Sequence, residues 1–396
     1  MMRVVLKRKV CVITSSRADY GLLRLIMLGI RQEANLELQI IATGMHLSKD
    51  YGLTINEIES DGFLVNRKVP CLNEFDDAVS ISRAAGSAIS GCAEALKELQ
   101  PDIILLLGDR FEILSAAMAG LLARIPIAHI HGGELTLGAF DESIRHAITK
   151  MSSIHFVTHE VYRRRVVQLG EIPERVYLVG SLGVDAINSL VLMNRKEIEN
   201  ELNIKIKAKS LLITFHPATL DKESPERQMN HLLSVLEKLN DTTLLFTMPN
   251  ADTGGNAIVK LIEDFVQKRE NAYAFSSLGQ LLYLSCMAMV DGVVGNSSSG
   301  ITEAPVMGIG TVNIGTRQLG RIQSQSIINC GTSQVEIEDA LKILYSAEFC
   351  DKLRISKNSM KESGASLKIL KVLKEVDLRE LILKPFQDIP FSLRGV

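Results

Sequence analysis

Several short stretches of this chain combine residue types that can grip an anion or move a proton. Gly295-Asn-Ser-Ser-Ser-Gly300 supplies three hydroxyls beside a glycine-flanked turn, with Glu303 three positions on. At a strand-to-helix turn, free backbone N–H groups and hydroxyls of this kind hold phosphate. The alternative is a helix cap with spare serines. No Gly-Lys-Ser/Thr occurs, so the turn is not a Walker A loop. Gly315-Thr-Arg-Gln-Leu-Gly-Arg321 carries Arg317 and Arg321, whose planar guanidinium groups match a diphosphate or a ribose edge. Two surface arginines are the plain reading. Ser15-Ser-Arg-Ala-Asp-Tyr20 lacks Gly-x-Gly-x-x-Gly, which argues against a dinucleotide-dependent enzyme. There Arg17 can reach an anion or pair with Asp19.

Proton-transfer candidates form a second group. Asp109 and Arg110 end an apolar strand, where a carboxylate must be solvated in a cleft, hydrogen-bonded or used as a helix cap. In His129-Ile-His-Gly-Gly-Glu134 the two histidines share a face if both lie on a strand. No second ligand pair of recognisable spacing accompanies them, so a metal is not expected. His131 and Glu134 are instead candidates for acid–base work or for a sugar hydroxyl. Asp141 is a natural N-cap, and Glu142 and His146 share the helix face behind it at i,i+4. His216 and Asn250 each follow a predicted strand. A lone histidine is as often structural as catalytic, and Asn250 suits a ribose or a base edge.

These positions require elements that deliver them to one place. Apolar runs at 9–14, 38–42, 64–69, 103–107, 127–130, 154–157 and 176–179 read as buried strands. Helical patterns lie between them at 22–31, 55–60, 80–99, 111–122, 142–151 and 160–169. The rhythm restarts with strands at 211–215, 243–247, 272–275, 289–294 and 311–314. Such alternation implies parallel sheets with crossover helices. The Lys-, Glu- and Asn-rich residues 188–209 read as a helical linker, with a boundary near 185–188. The expected fold is α/β, with two doubly wound Rossmann-like domains facing a cleft. Residues 1–186 are expected to form the first domain, 187–373 the second, and 374–396 a tail packing back on the first. Ligands in this architecture bind beyond the carboxyl ends of the strands, which is where the candidate residues fall.

Composition removes other classes. With 396 residues, 44 Lys+Arg and 46 Asp+Glu, the formal charge is −2, without the basic footprint of a nucleic-acid binder. No apolar run approaches the ~20 residues of a membrane span. Residues 10–13 are too short for the h-region of a signal peptide. Six scattered cysteines without Cys-x-x-Cys suit reduced thiols. The expected location is the cytoplasm.

Read in order, these motifs resemble the hydrolysing UDP-N-acetylglucosamine 2-epimerases. The stretches that carry the likeness are Arg17-Ala-Asp-Tyr20, Thr43-Gly-Met-His46, Gly108-Asp-Arg-Phe-Glu112, His129–Glu134, the ten residues from Asp141 to Lys150, Gly295–Gly300 and Gly315–Arg321. The likeness spans residues 9–373. It implies the fold of two-domain nucleotide-sugar glycosyltransferases (GT-B-like), with a C-terminal helix crossing back onto the first domain, for which 375–383 is the expected segment. It implies conversion of UDP-N-acetylglucosamine and water to N-acetylmannosamine and UDP. The route is UDP elimination to a 2-acetamidoglucal, then hydration with C-2 inverted, with no cofactor and no metal. Matched positions place UDP on Arg17, Arg110, His216, Asn250, Ser297, Ser298, Glu303 and Arg317. Asp109 and Glu134 are the first candidates for proton transfer, then Glu142, His131 and His216. Related enzymes show His-x-Glu where this chain has His129-Ile-His131, so His131 and Glu134 both remain open for the acid or base. A UDP-2,4-diacetamido-2,4,6-trideoxyglucose 2-epimerase is the close alternative. A glycosyltransferase of the same architecture and a non-catalytic nucleotide-sugar sensor are more distant ones. The resemblance also implies a homo-oligomer, a dimer or tetramer.

Overall fold

Runs rich in Val, Ile and Leu become strands buried on both faces, as parallel sheets covered by helices require. The computed structural model describes residues 7–72, 77–218, 220, 221, 223–250, 252–356 and 364–390. Its first sheet contains β1 (Arg8–Thr14), β2 (Leu36–Thr43), β3 (Arg67–Val69), β4 (Ile103–Leu107), β5 (Ile127–Ile130), β6 (Ile154–Val157) and β7 (Val176–Leu178). The second contains β8 (Lys209–Thr214), β9 (Thr242–Thr247), β10 (Ala272–Phe275), β11 (Gly292–Gly295), β12 (Gly310–Ile314) and β13 (Ile327–Cys330). The strand orders are β3-β2-β1-β4-β5-β6-β7 and β10-β9-β8-β11-β12-β13. Neighbours pair in parallel throughout, for example β1 with β4 and β8 with β11.

Each order reverses once, between β1 and β4 and between β8 and β11. Crossovers leave these strands in opposite directions, so a crevice opens beyond their carboxyl ends. Ser15–Arg17 and Gly108–Arg110 flank the first crevice, and His216 and Asn296–Ser298 flank the second. Apolar clusters cover both faces of each sheet. Leu23, Ile26 and Ile30 pack on one face of the first, and Cys92, Leu96 and Ala116 on the other. Met229, Leu232 and Ile258 cover one face of the second, and Leu284, Met287 and Met307 the other. Among the described residues no helix is long and apolar enough to cross a membrane.

The structure departs from the sequence reading in four places. The first helix runs Arg17–Gln32, five residues earlier than expected, because Ser16 and Asp19 form a reciprocal capping box. The expected linker holds the helix Arg195–Leu202, and the expected boundary falls within the helix before it, Leu182–Ser189. The strand β13 was not anticipated, since its Ile-Ile-Asn-Cys core follows a polar stretch. The returning C-terminal helix is Ala365–Glu375 rather than 375–383. Its Ile369 and Leu373 are fully buried in the first core, and the Asp185 carboxylate accepts the Gly364 and Ser366 N–H groups at its start. Residues 376–390 follow as a non-helical strap, anchored by Leu381 and by Lys384 against Glu171 at 2.8 Å. Residues 391–396 of the expected tail, and Ala251 beside Asn250, lie outside the described residues.

Candidate active site

One side of the candidate site is built on the β8–β11 crevice. Gly295 ends β11 with φ of 132°, and a Cβ there would lie 2.0 Å from the Thr214 carbonyl oxygen. Only glycine lets the two strand ends converge. The Asn296 side chain then locks them, accepting from the His216 N–H at 2.7 Å and donating to the His216 carbonyl at 2.8 Å. Ser297 caps the short helix Ser298–Thr302. Arg317 donates to the Asn296 carbonyl at 3.2 Å, while its buried Nε lacks a protein partner. Burial, then the charges of Arg317, Arg17 and Arg110, push the His216 imidazolium far below its usual range. The neutral ring accepts the Asn250 N–H at Nδ1, 3.3 Å away, which assigns the proton to Nε2. Three guanidinium groups around one neutral histidine mark a site of positive potential.

Arg17, His216 and Arg317 line a pocket of about 180 Å³ that also includes Asn250, Gln280, Tyr283, Ser297, Ser298 and Glu303. Arg17 closes it from the first sheet, donating to the carbonyls of Ser276 and, at 3.1 Å, Met248. Gly183, also from the first half, lets the Glu303 carboxyl approach; a Cβ would lie 3.2 Å from its Oε1. Burial raises the Glu303 carboxyl above its usual range, against hydrogen bonds from Thr302 and Ser299.

The other side is built on the β1–β4 crevice and the helix Asp141–Met151. Arg145, 1% exposed, is its centre. It pairs with Asp109 and donates to Thr136 Oγ1 at 2.9 Å and to the His131 carbonyl at 3.1 Å. Its Nη1 also lies 3.9 Å from Glu134. Asp109 therefore does not cap the following helix, whose N-cap residue is Arg110. Nor is Asp141 an N-cap; Phe140 holds that place, and Asp141 begins the helix facing the cavity. Burial, followed by the charges of Asp109 and Asp252, pushes the Asp141 carboxyl up to about 7, against Arg317 and Arg110.

The two histidines do not share a face, because β5 ends at Ile130 and His131 turns left-handed with φ of 68°. His129 is a structural residue, bonded to the Gly108 carbonyl at 2.8 Å and to Thr149 at 3.2 Å. It ties the Asp109 loop to the Arg145 helix. The His131 ring reaches the cavity, with Nδ1 3.9 Å from Glu134 and a buried, unpartnered Nε2. Burial lowers its pKa, so the ring is neutral at pH 7. Glu134 is held below the usual carboxylate range: burial opposes this, and His131, Arg321 and Arg145 outweigh it. Glu142 is not brought to the cavity. It accepts from the Thr136 N–H at 2.5 Å and faces His146 Nε2 at 3.1 Å, shaping the loop instead.

A second cavity, about 540 Å³, is bounded by Asp109, Arg110, His131, Glu134 and Asp141 from the first half and by Ser298, Glu303, Arg317 and Arg321 from the second. It shares Asn250, Ser298, Glu303 and Arg317 with the first pocket, so one cleft runs from hydroxyls to carboxylates. Sequence reasoning missed Arg145, although it stands four residues from Asp141 on one helix face. Tyr283 and Gln280 left no signal, since they sit in an apolar helical run and meet the site only through the fold.

The family model described as UDP-N-acetylglucosamine 2-epimerase matches residues 29–374. The chain belongs to the hydrolysing UDP-N-acetylglucosamine 2-epimerase family. The epimerase is 41% identical over 385 residues to a GDP/UDP-N,N′-diacetylbacillosamine 2-epimerase (hydrolysing) of Campylobacter jejuni, covering 97% of this chain and 100% of that one. It is 33% identical to a UDP-N,N′-diacetylbacillosamine 2-epimerase (hydrolysing) of Legionella pneumophila, covering 95% and 98%. Its fold matches the crystal structure of a Neisseria meningitidis UDP-GlcNAc 2-epimerase bound to UDP-GlcNAc, with a TM-score of 0.78, 17% identity and coverage of 93% and 100%. The epimerase is thus an enzyme of this class on a GT-B-like scaffold.

Proposed function

We propose that the epimerase hydrolyses a UDP-linked 2-acetamido sugar with inversion at C-2, and that its substrate is UDP-N,N′-diacetylbacillosamine, the 2,4-diacetamido-2,4,6-trideoxyglucose nucleotide. The observation that carries the reaction is the single cleft in which Asp109 and Asp141 face Ser298 and Arg317. The naming of the Campylobacter and Legionella relatives favours this sugar. UDP-N-acetylglucosamine is the second reading, favoured by the description of the matching family model.

The chemistry follows from charge. The C-2 proton is weakly acidic, so cleavage of the C-1–oxygen bond leads and its electron pair leaves with UDP. Preorganised donors must meet that developing charge. Arg17, Arg317, the serine hydroxyls and His216 Nε2–H supply them, each charge-assisted bond contributing ~1.5–3 kcal/mol. Glu303 accepts the ribose hydroxyls, and Asn250 contacts the nucleotide from the β9 end. Asp109, in its ion pair with Arg145, takes the C-2 proton as the glycal forms. Water then adds at C-1, and a proton reaches C-2 from the opposite face. Asp141, held near neutrality, is the proton donor. His131 Nε2 accepts a hydrogen bond from the sugar, and the Glu134 carboxylate 3.9 Å from Nδ1 favours the proton on that nitrogen. Separate incubations with the two nucleotide sugars, followed by chromatography of UDP and the free sugar, test the choice. Turnover of the diacetamido sugar at least about tenfold more efficiently is expected, a ratio equivalent to one 1.4 kcal/mol contact. Exclusive turnover of UDP-N-acetylglucosamine overturns the substrate.

A further inference from the structure

Arg110 and Asp252 lie 142 residues apart and follow strands of different sheets, yet Arg110 Nη1 sits 3.1 Å from Asp252 Oδ1. Their side chains are 12% and 7% exposed. The other edge of the guanidinium is held by the fully buried Glu112, Nε to Oε2 at 3.2 Å. Two carboxylates on one buried guanidinium gain little net stability, because desolvation offsets their attraction. Such a group is better read by where it stands. Arg110 directly follows Asp109. Asp252 lies two residues beyond Asn250, on the turn that contacts His216, and its own N–H is bonded to the Asn250 carbonyl at 2.8 Å. Asn250 bounds both cavities, whereas Asp252 bounds neither. The pair therefore joins the turn facing the nucleotide to the loop carrying the sugar-side carboxylate.

We propose that Asp252 is a positioning residue: by clasping Arg110 across the cleft it couples closure of the nucleotide-binding half to the placement and protonation of the acids in the sugar half. The inference rests on the acid–base roles assigned above to Asp109 and Asp141. The charged groups facing Asp141 are Asp109 from the β4 loop with Arg110, Asp252 from the β9 turn, Arg317 from the β12 loop, and Arg145 on its own helix. In the clasp Asp252 and Arg110 both act on the Asp141 carboxyl, with opposite signs. Closure over a nucleotide thus sets the field that decides whether its proton is in place.

Two substitutions with opposite charge effects test this. D252N is expected to bind UDP within about threefold of wild type, to lower kcat about tenfold or more, and to move the pH limb governed by Asp141 down by about one unit, since a nearby negative charge is lost. R110Q removes a cation and moves the same limb upward, a sign that general destabilisation does not produce. D252E restores most of kcat and the limb. A wild-type limb in D252N, a downward shift in R110Q, or a D252E enzyme no better than D252N overturns the proposal. If D252N does not fold, R110Q and D252E decide it. Wild-type enzyme inert on both nucleotide sugars defeats the proposed function instead, while wild-type turnover with unmoved limbs defeats the clasp alone.

Discussion

Replacing Arg145 by methionine tests the sugar side most severely. Methionine keeps much of the buried volume and removes the charge. Asp109 loses its ion-pair partner, and Thr136 Oγ1 and the His131 carbonyl lose donors at 2.9 and 3.1 Å. Breaking a buried pair from one side costs about 3–5 kcal/mol. The Asp109 side chain is 21% exposed and can recruit water, so the lower end, about 3 kcal/mol, applies. For a cooperative unit of roughly 150–250 residues this lowers Tm by about 6–12 °C. Catalysis suffers further, since displacement of a proton acceptor by about 1 Å costs on the order of a hundredfold. R145K keeps charge without the forked geometry and falls between. Thermal denaturation reads the first effect and a UDP-release assay the second. An R145M enzyme with Tm within about 2 °C of wild type and unchanged kcat refutes a central role for Arg145.

Three other outcomes follow from single residues. G295A forces a Cβ to within 2.0 Å of the Thr214 carbonyl oxygen; titration calorimetry is expected to show loss of UDP binding, and wild-type affinity would contradict the tight crossing. R317M removes a charge-assisted donor, so the Kd for UDP rises about 10- to 150-fold by equilibrium dialysis, and an unchanged Kd counts against a phosphate role. Hydrogen bonds from His155, Lys150 and Lys384 outweigh burial and hold the Glu171 carboxyl down at about 2. Its stabilisation is thus present above the unfolded-state value of about 4.3 and lost as pH falls toward 2. E171Q lowers Tm at pH 7 and flattens the acid limb of stability; a limb as steep as wild type contradicts that assignment.

Much of the framework was legible because strands announce themselves locally. The apolar runs 103–107, 127–130, 154–157 and 272–275 coincide with β4, β5, β6 and β10. The placement of candidates after strand ends was equally readable, since a parallel sheet leaves its loops there. The rest depends on distance in the chain. The pairing of Arg110 with Asp252, far along the chain, is set by the fold alone. Asp141 and Glu142 are adjacent in sequence, yet a helical turn sends one to the cavity and the other to His146. The left-handed turn at His131 separates it from His129, which no strand pattern foretells. Lys384 and the returning helix 365–375 were obscured because their partners, Glu171 and Ile30 among them, lie on the far half of the chain.

The central claim is that groups on two facing sheets expel UDP while a carboxylate removes the C-2 proton. Incubating the enzyme with UDP-N,N′-diacetylbacillosamine in deuterated water and following C-2 by NMR tests it directly. The account predicts free UDP and a C-2-inverted free sugar carrying one deuterium at C-2. Retention of protium at C-2, or a stable epimerised UDP-sugar as the product, would contradict it.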